Sequence, residues 1–140
     1  MKNLKRLFAT TLVVLTAVTI NGQAFKSGNV VGIHEWKITL SENVTADQFE
    51  KFMLVEYIPA FEKYLPGVKL FLAKGERGKN KDNYGLIVYF KSIKARNEWF
   101  PEPGTQSEKS KVNYDQFKPY FDKLNEMVKY QSIYTDWIVL

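Results

Sequence analysis

Two hydrophobic periods alternate along this chain, and their order restricts the fold more than any single motif does. Residues 30–40, Val-Val-Gly-Ile-His-Glu-Trp-Lys-Ile-Thr-Leu, follow the period of two that marks a strand. His34, Trp36, Ile38 and Leu40 share one face of it, and Ile33, Glu35, Lys37 and Thr39 share the other. Thr45-Ala46-Asp47-Gln48 then fits a capping box, with Thr45 as N-cap and Gln48 three residues on. Behind it Phe49, Phe52, Met53, Phe61, Tyr64 and Leu65 recur at helical spacing, which predicts a helix over 46–65. Pro59 lies inside that pattern and should kink or split it, because proline has no N–H to donate. Pro66-Gly67 ends it.

The rest of the chain continues the alternation. Val68 to Lys74 reads as a second strand, residues 75–82 as a charged hairpin loop, and Tyr84 to Phe90 as a third strand. Tyr84, Leu86, Val88 and Phe90 share a face of that third strand. Ser92 to Phe100 fits a short helix closed by Pro101, and the polar stretch 101–112 reads as a mobile loop. Phe117, Tyr120, Phe121, Leu124, Met127 and Val128 give a strong helical pattern, whose start Pro119 places near Asp115. Residues 133–140 form the last predicted strand.

The order β-α-β-β-α-β predicts an α+β, ferredoxin-like domain: four antiparallel strands with the helices on one face. The remaining face would carry Trp and apolar residues, which water does not cover cheaply. A second copy is the simplest cover, so the expectation is a homodimer with its sheets back to back.

The N-terminus is a different material. Lys2, Lys5 and Arg6 precede an uncharged, largely apolar run from Leu7 to Ile20, followed by Asn21-Gly22-Gln23-Ala24. Basic, apolar and small segments in that order predict a signal peptide over residues 1–24, cleaved after Ala24, with a single domain over 25–140. The run falls short of the roughly 20 residues that span a bilayer, so no stable membrane anchor is expected. The protein is therefore expected outside the cytoplasm, in periplasm or medium. Removal of three positive charges takes Lys+Arg from 20 to 17 against 15 acidic residues, leaving a net charge near +2. Most of the basic character belongs to targeting, and nucleic acid is not an expected partner. The 140 residues contain no cysteine, which excludes disulfides, thiolate metal sites and a Cys nucleophile.

Several local segments, namely His34, Glu42-Asn43-Val44-Thr45, Ile58-Pro59-Ala60, Leu65-Pro66-Gly67-Val68 and Phe90 to Trp99, resemble the dimeric α/β-barrel superfamily. That group includes antibiotic-biosynthesis-type monooxygenases, stress-responsive A/B-barrel proteins and polyketide cyclases. The resemblance implies a small-molecule cavity between sheet and helices, with His34, Trp36, Leu86 and Trp99 pointing toward it. The cyclases resemble one another in a His-Pro-x-His segment after the second helix. Here Glu102-Pro103-Gly104-Thr105 stands in that place, so the cyclase general base is missing.

His34 is the only histidine and so the only candidate general base of that kind. One His does not make a zinc or iron site, and no metal or cofactor is expected. Trp36, Tyr84, Trp99 and Phe100 either line an aromatic pocket or form core and interface. Glu35 and Lys37, two apart, read as a solvated flank. Neither a Ser-His-Asp grouping nor a glycine-rich phosphate loop is present. The expected function is binding of a small hydrophobic or aromatic molecule at His34, Trp36, Leu86, Trp99 and Tyr84. The alternatives are a cofactor-independent, monooxygenase-like enzyme and a protein-interaction module.

Overall fold

The computed structural model describes residues 25–102 and 104–140, so the predicted signal segment lies outside the described residues. The elements run β1 (Val30–Leu40), α1 (Ala46–Phe52), a π-helical turn (Met53–Tyr57), α2 (Ile58–Tyr64), β2 (Val68–Lys74), β3 (Tyr84–Phe90), α3 (Ile93–Asn97), α4 (Glu108–Met127) and β4 (Val128–Ile138). The sheet order is β2-β3-β1-β4 with every neighbouring pair antiparallel. Both helical crossovers return to the same side and leave β1 and β3 in the centre. This is the ferredoxin-like α+β fold.

Local chemistry explains the first helical segment. Thr45 Oγ1 accepts from the Gln48 N–H at 3.2 Å while Gln48 Oε1 accepts from the Thr45 N–H at 2.8 Å, the reciprocal pair of a capping box. Pro59 splits the helix as expected, through a π turn. Ile58 N–H donates to the Met53 carbonyl five residues back, and α2 starts there with Pro59 in its first turn. The widened turn relieves the clash between the proline ring and the carbonyl four residues earlier. Gly67, at φ +91°, then reverses the chain into β2.

Three boundaries differ from the sequence reading, the first being that the short helix ends at Asn97 rather than at Phe100. The loop after Pro101 ends at Ser107, and α4 begins at Glu108 rather than near Asp115. Ser107 Oγ accepts from the Ser110 N–H at 3.1 Å and donates to the Glu98 carbonyl at 2.6 Å, so the N-cap is also tied to the preceding loop. Pro119 is thus interior to α4. Its lost backbone bond is offset by burying Phe117 and Leu124 on the same helix. The last strand starts at Val128, five residues earlier than expected, because the eleven-residue β1 offers partners from Leu40↔Val128 to Val30↔Ile138.

The core lies between the helices and one face of the sheet. Val30, Trp36, Leu70, Leu86, Val88 and Phe90 pack there against Phe49, Met53, Tyr57, Phe117 and Leu124. Tyr57 and Phe61 both meet Phe117 edge-on, at 5.0 and 5.4 Å between ring centroids. Trp36 and Leu86 are therefore under the helices, and Ile38 packs against the same core. The face that no helix covers carries a different set: Val31, Ile33, Phe71, Ile87, Tyr89, Ile133 and Trp137. A back-to-back contact through the Trp36 face is incompatible with this arrangement. Among the described residues no helix is long and apolar enough to cross a membrane.

Candidate functional site on the helix side of β1 and β4

The covered face is not covered everywhere. At the Leu40 end of β1, α4 runs directly into β4, and Trp36 stacks on Tyr130 with ring centroids 4.9 Å apart. Toward Gly32 the contact from α3, only five residues long, comes through Arg96 to Asp136. The sheet there is left half-open, and Tyr134 is 41% exposed.

Antiparallel register brings the site together. His34 lies opposite Tyr134, Gly32 opposite Asp136 and Trp36 opposite Ser132, and cross-strand partners share a face. The rings of His34 and Tyr134 sit 4.3 Å apart between centroids. His34 Nδ1 is 2.9 Å from Ser132 Oγ, so Nε2 is the ring nitrogen left for a ligand. The Tyr134 ring lies across Gly32. A Cβ at that position would meet Tyr134 Cε2 at 2.8 Å, closer than carbon atoms tolerate. Gly32 is the cradle of the tyrosine.

A polar chain fixes the far end. Tyr134 OH donates to Asp136 Oδ1, and Arg96 from the end of α3 forms an ion pair with Asp136 Oδ2 at 3.0 Å. Arg96 and Asp136 keep only 20% and 24% of their side-chain exposure, so this pair is better shielded than a surface salt bridge. Arg96 Nε is buried without a partner.

Burial pushes the His34 imidazole below its ordinary pKa, and the Asp136 carboxylate opposes that shift in part. The ring is accordingly neutral at neutral pH and can accept a hydrogen bond or a proton. Burial first, and the bond to Asp136 second, push the Tyr134 phenol up, so it stays protonated. The arrangement offers one neutral base, one phenol and one aromatic surface.

Of the residues singled out from sequence, only His34 belongs to this cluster. Trp36, Leu86, Tyr84 and Trp99 are each at most 6% exposed and pack in the core. Tyr84 OH donates to Glu50 Oε1 of α1 at 2.6 Å, on the same helix-covered face but toward β2, where Lys74 also binds Glu50 at 2.9 Å. Trp99 lies beneath Lys109, whose Nζ is 4.2 Å from the ring centroid. Phe100 packs edge-on against Phe90. Glu35 faces the hairpin loop, accepting from Asn80 Nδ2 at 2.8 Å, and Lys37 is exposed. Ser132, Tyr134, Asp136 and Arg96 were not singled out. The signal that exists for them is the alternation Ser132-x-Tyr134-x-Asp136, which acquires meaning only once the register with His34 is known.

Two surface clefts lie elsewhere, one of about 130 Å³ at Glu50 and Tyr84 and one of about 310 Å³ between Lys37 and Lys129. Among the described residues no three His, Cys, Asp or Glu side chains are grouped to hold a metal ion.

No protein-family model matches this chain. No curated protein matches it either. Among solved structures it is similar to a dimeric protein of unknown function and ferredoxin-like fold from Bacteroides fragilis NCTC 9343, at 15% identity and TM-score 0.45 over 82% of this chain and 100% of that one. It is also similar to a VAO-type flavoprotein from Myceliophthora thermophila C1, at 13% identity and TM-score 0.35 over 79% of this chain and 19% of that one. The fold assignment rests on this chain's own strand order and register.

Proposed function

We propose that this protein is exported and binds a small planar, hydrophobic or aromatic molecule over His34 and Tyr134, on the helix side of β1 and β4. The observation that carries the reading is the ring pair itself: two aromatic side chains 4.3 Å apart on a half-open face. Around them Ser132, Asp136 and Arg96 fix the polar ends. Flat aromatic surface with a few convergent polar groups is what small-molecule sites are made of. The neutral His34 Nε2 and the protonated Tyr134 suit a ligand carrying a hydroxyl or carbonyl. Export is supported by the basic, apolar and small segments of residues 1–24. A homodimer remains part of the reading, since apolar sheet surface stays uncovered in one chain.

Because the chain has a single histidine, its imidazole proton resonances belong to His34 alone. Titration with 2-naphthol should move those resonances saturably, and Tyr134→Ala should abolish the movement while the fold persists. Resonances that stay in place up to the solubility limit of the naphthol would remove the reading. N-terminal sequencing of protein recovered from a secreting host should begin at or near Phe25, and an intact Met1 would refute export.

A further inference from the structure

We infer that the ligand site is completed by a second copy of this chain, docked antiparallel along the free edge of β4. This rests on the ligand reading above and names the partner of that site.

β4 is an edge strand, paired only with β1 among the described residues. It is also the most exposed strand, and its exposure is apolar on both faces. Ile133 and Trp137 are 69% and 59% exposed on the face away from the helices, while Tyr134 and Ile138 are 41% and 52% exposed on the helix side. A partner stacked on one face would leave the other pair wet. A partner aligned with the edge touches both. No proline interrupts the eleven residues of β4, so its outer N–H and C=O groups form a continuous unpaired row.

A second copy satisfies that edge. Two identical strands related by a two-fold axis pair antiparallel, and full overlap of Val128–Ile138 puts the axis at the midpoint, Ile133. This register keeps like faces together. On one face Ile133 meets Ile133 of the second copy and Lys129 meets the Trp137 ring, a favourable cation–π contact. On the helix side Ser132 meets Tyr134, and Tyr130 meets Asp136. A strand about 37 Å long, at roughly 3.4 Å per residue, is engaged along its whole edge and on both faces. Tyr134 of the second copy then stands beside Ser132, the hydrogen-bond partner of His34, and walls the side of the site that β4 leaves open.

The chain lacks cysteine, so a single introduced thiol reports contact between copies without background. Ile133→Cys in the otherwise native protein should form a covalent dimer with a short bismaleimide, whereas Ile87→Cys, in the middle of the uncovered face, should not. The reverse pattern means a face-to-face dimer and overturns the inference, as does failure of both thiols to cross-link. Ile133→Glu, a change at an exposed position, should give a folded monomer in sedimentation with at least tenfold weaker shifts of the His34 resonances on 2-naphthol titration. A monomeric variant that binds as well as the native chain overturns the completed site and leaves the ligand reading standing. If the native dimer forms through β4 but binds no naphthol, the ligand reading fails, and with it the proposed role of the second copy.

Discussion

His34 shows how one residue's environment decides its chemistry. Its imidazole is held neutral by burial despite a nearby carboxylate, so its folded pKa lies below the ordinary value near 6.5. The unfolded chain then binds the proton more readily than the folded one, and stability is lost as pH falls from about 6.5 toward the folded pKa. Urea midpoints should drop over that window in the native protein, and His34→Gln should flatten this part of the profile. An unchanged slope in the variant would show that other groups govern the window. Glu50 acts at lower pH. The hydroxyl of Tyr84 and the ammonium of Lys74 hold its carboxyl below the usual range, so its contribution fades as pH drops below about 4.5. Gly32 shows the converse dependence: it is informative because of what it lacks, a Cβ in the plane where Tyr134 rests.

The elements are held by caps and interruptions that are mostly written locally. Thr45 and Gln48 close the start of α1, and Thr45→Ala should lower unfolding free energy by about 1 kcal/mol in urea titration. A loss below a few tenths would mean that packing of Phe49 alone sets that terminus. Both the capping box and the split at Pro59 were legible in the sequence, because each depends on residues three or four apart. The start of α4, at Glu108, is not written locally. By local rules Pro119 marks a boundary, yet its penalty is outweighed by the burial of Phe117 and Leu124, which only the assembled core supplies. β4 starts five residues before its own pattern does, because Val128–Ser132 form strand against β1.

Across the whole molecule, one core joins the sheet to α1, α2 and α4, and Leu124 sits in it with no exposure. Leu124→Ala should cost 2–5 kcal/mol, read as a fall in thermal and urea stability, since the site is walled by sheet and helix and collapses poorly. A cost below 1 kcal/mol would mean that α4 moves freely against the sheet. The same layering decides which apolar surface is left over. With Trp36 and Leu86 under the helices, the surplus falls on the opposite sheet face and on β4, so contact between copies belongs there.

By itself the sequence determined the order of elements, the alternating faces of each strand, the first cap and the split at Pro59. These follow from periods and spacings a few residues long, and local sterics and hydrogen bonding act at that range. The tertiary structure alone decided which sheet face the helices take, and it set His34 against Tyr134, Ser132 and Asp136, about 100 residues away in the chain. Alternation labels two faces of a strand without saying which is inside, and register is fixed only when distant strands compete for the same core.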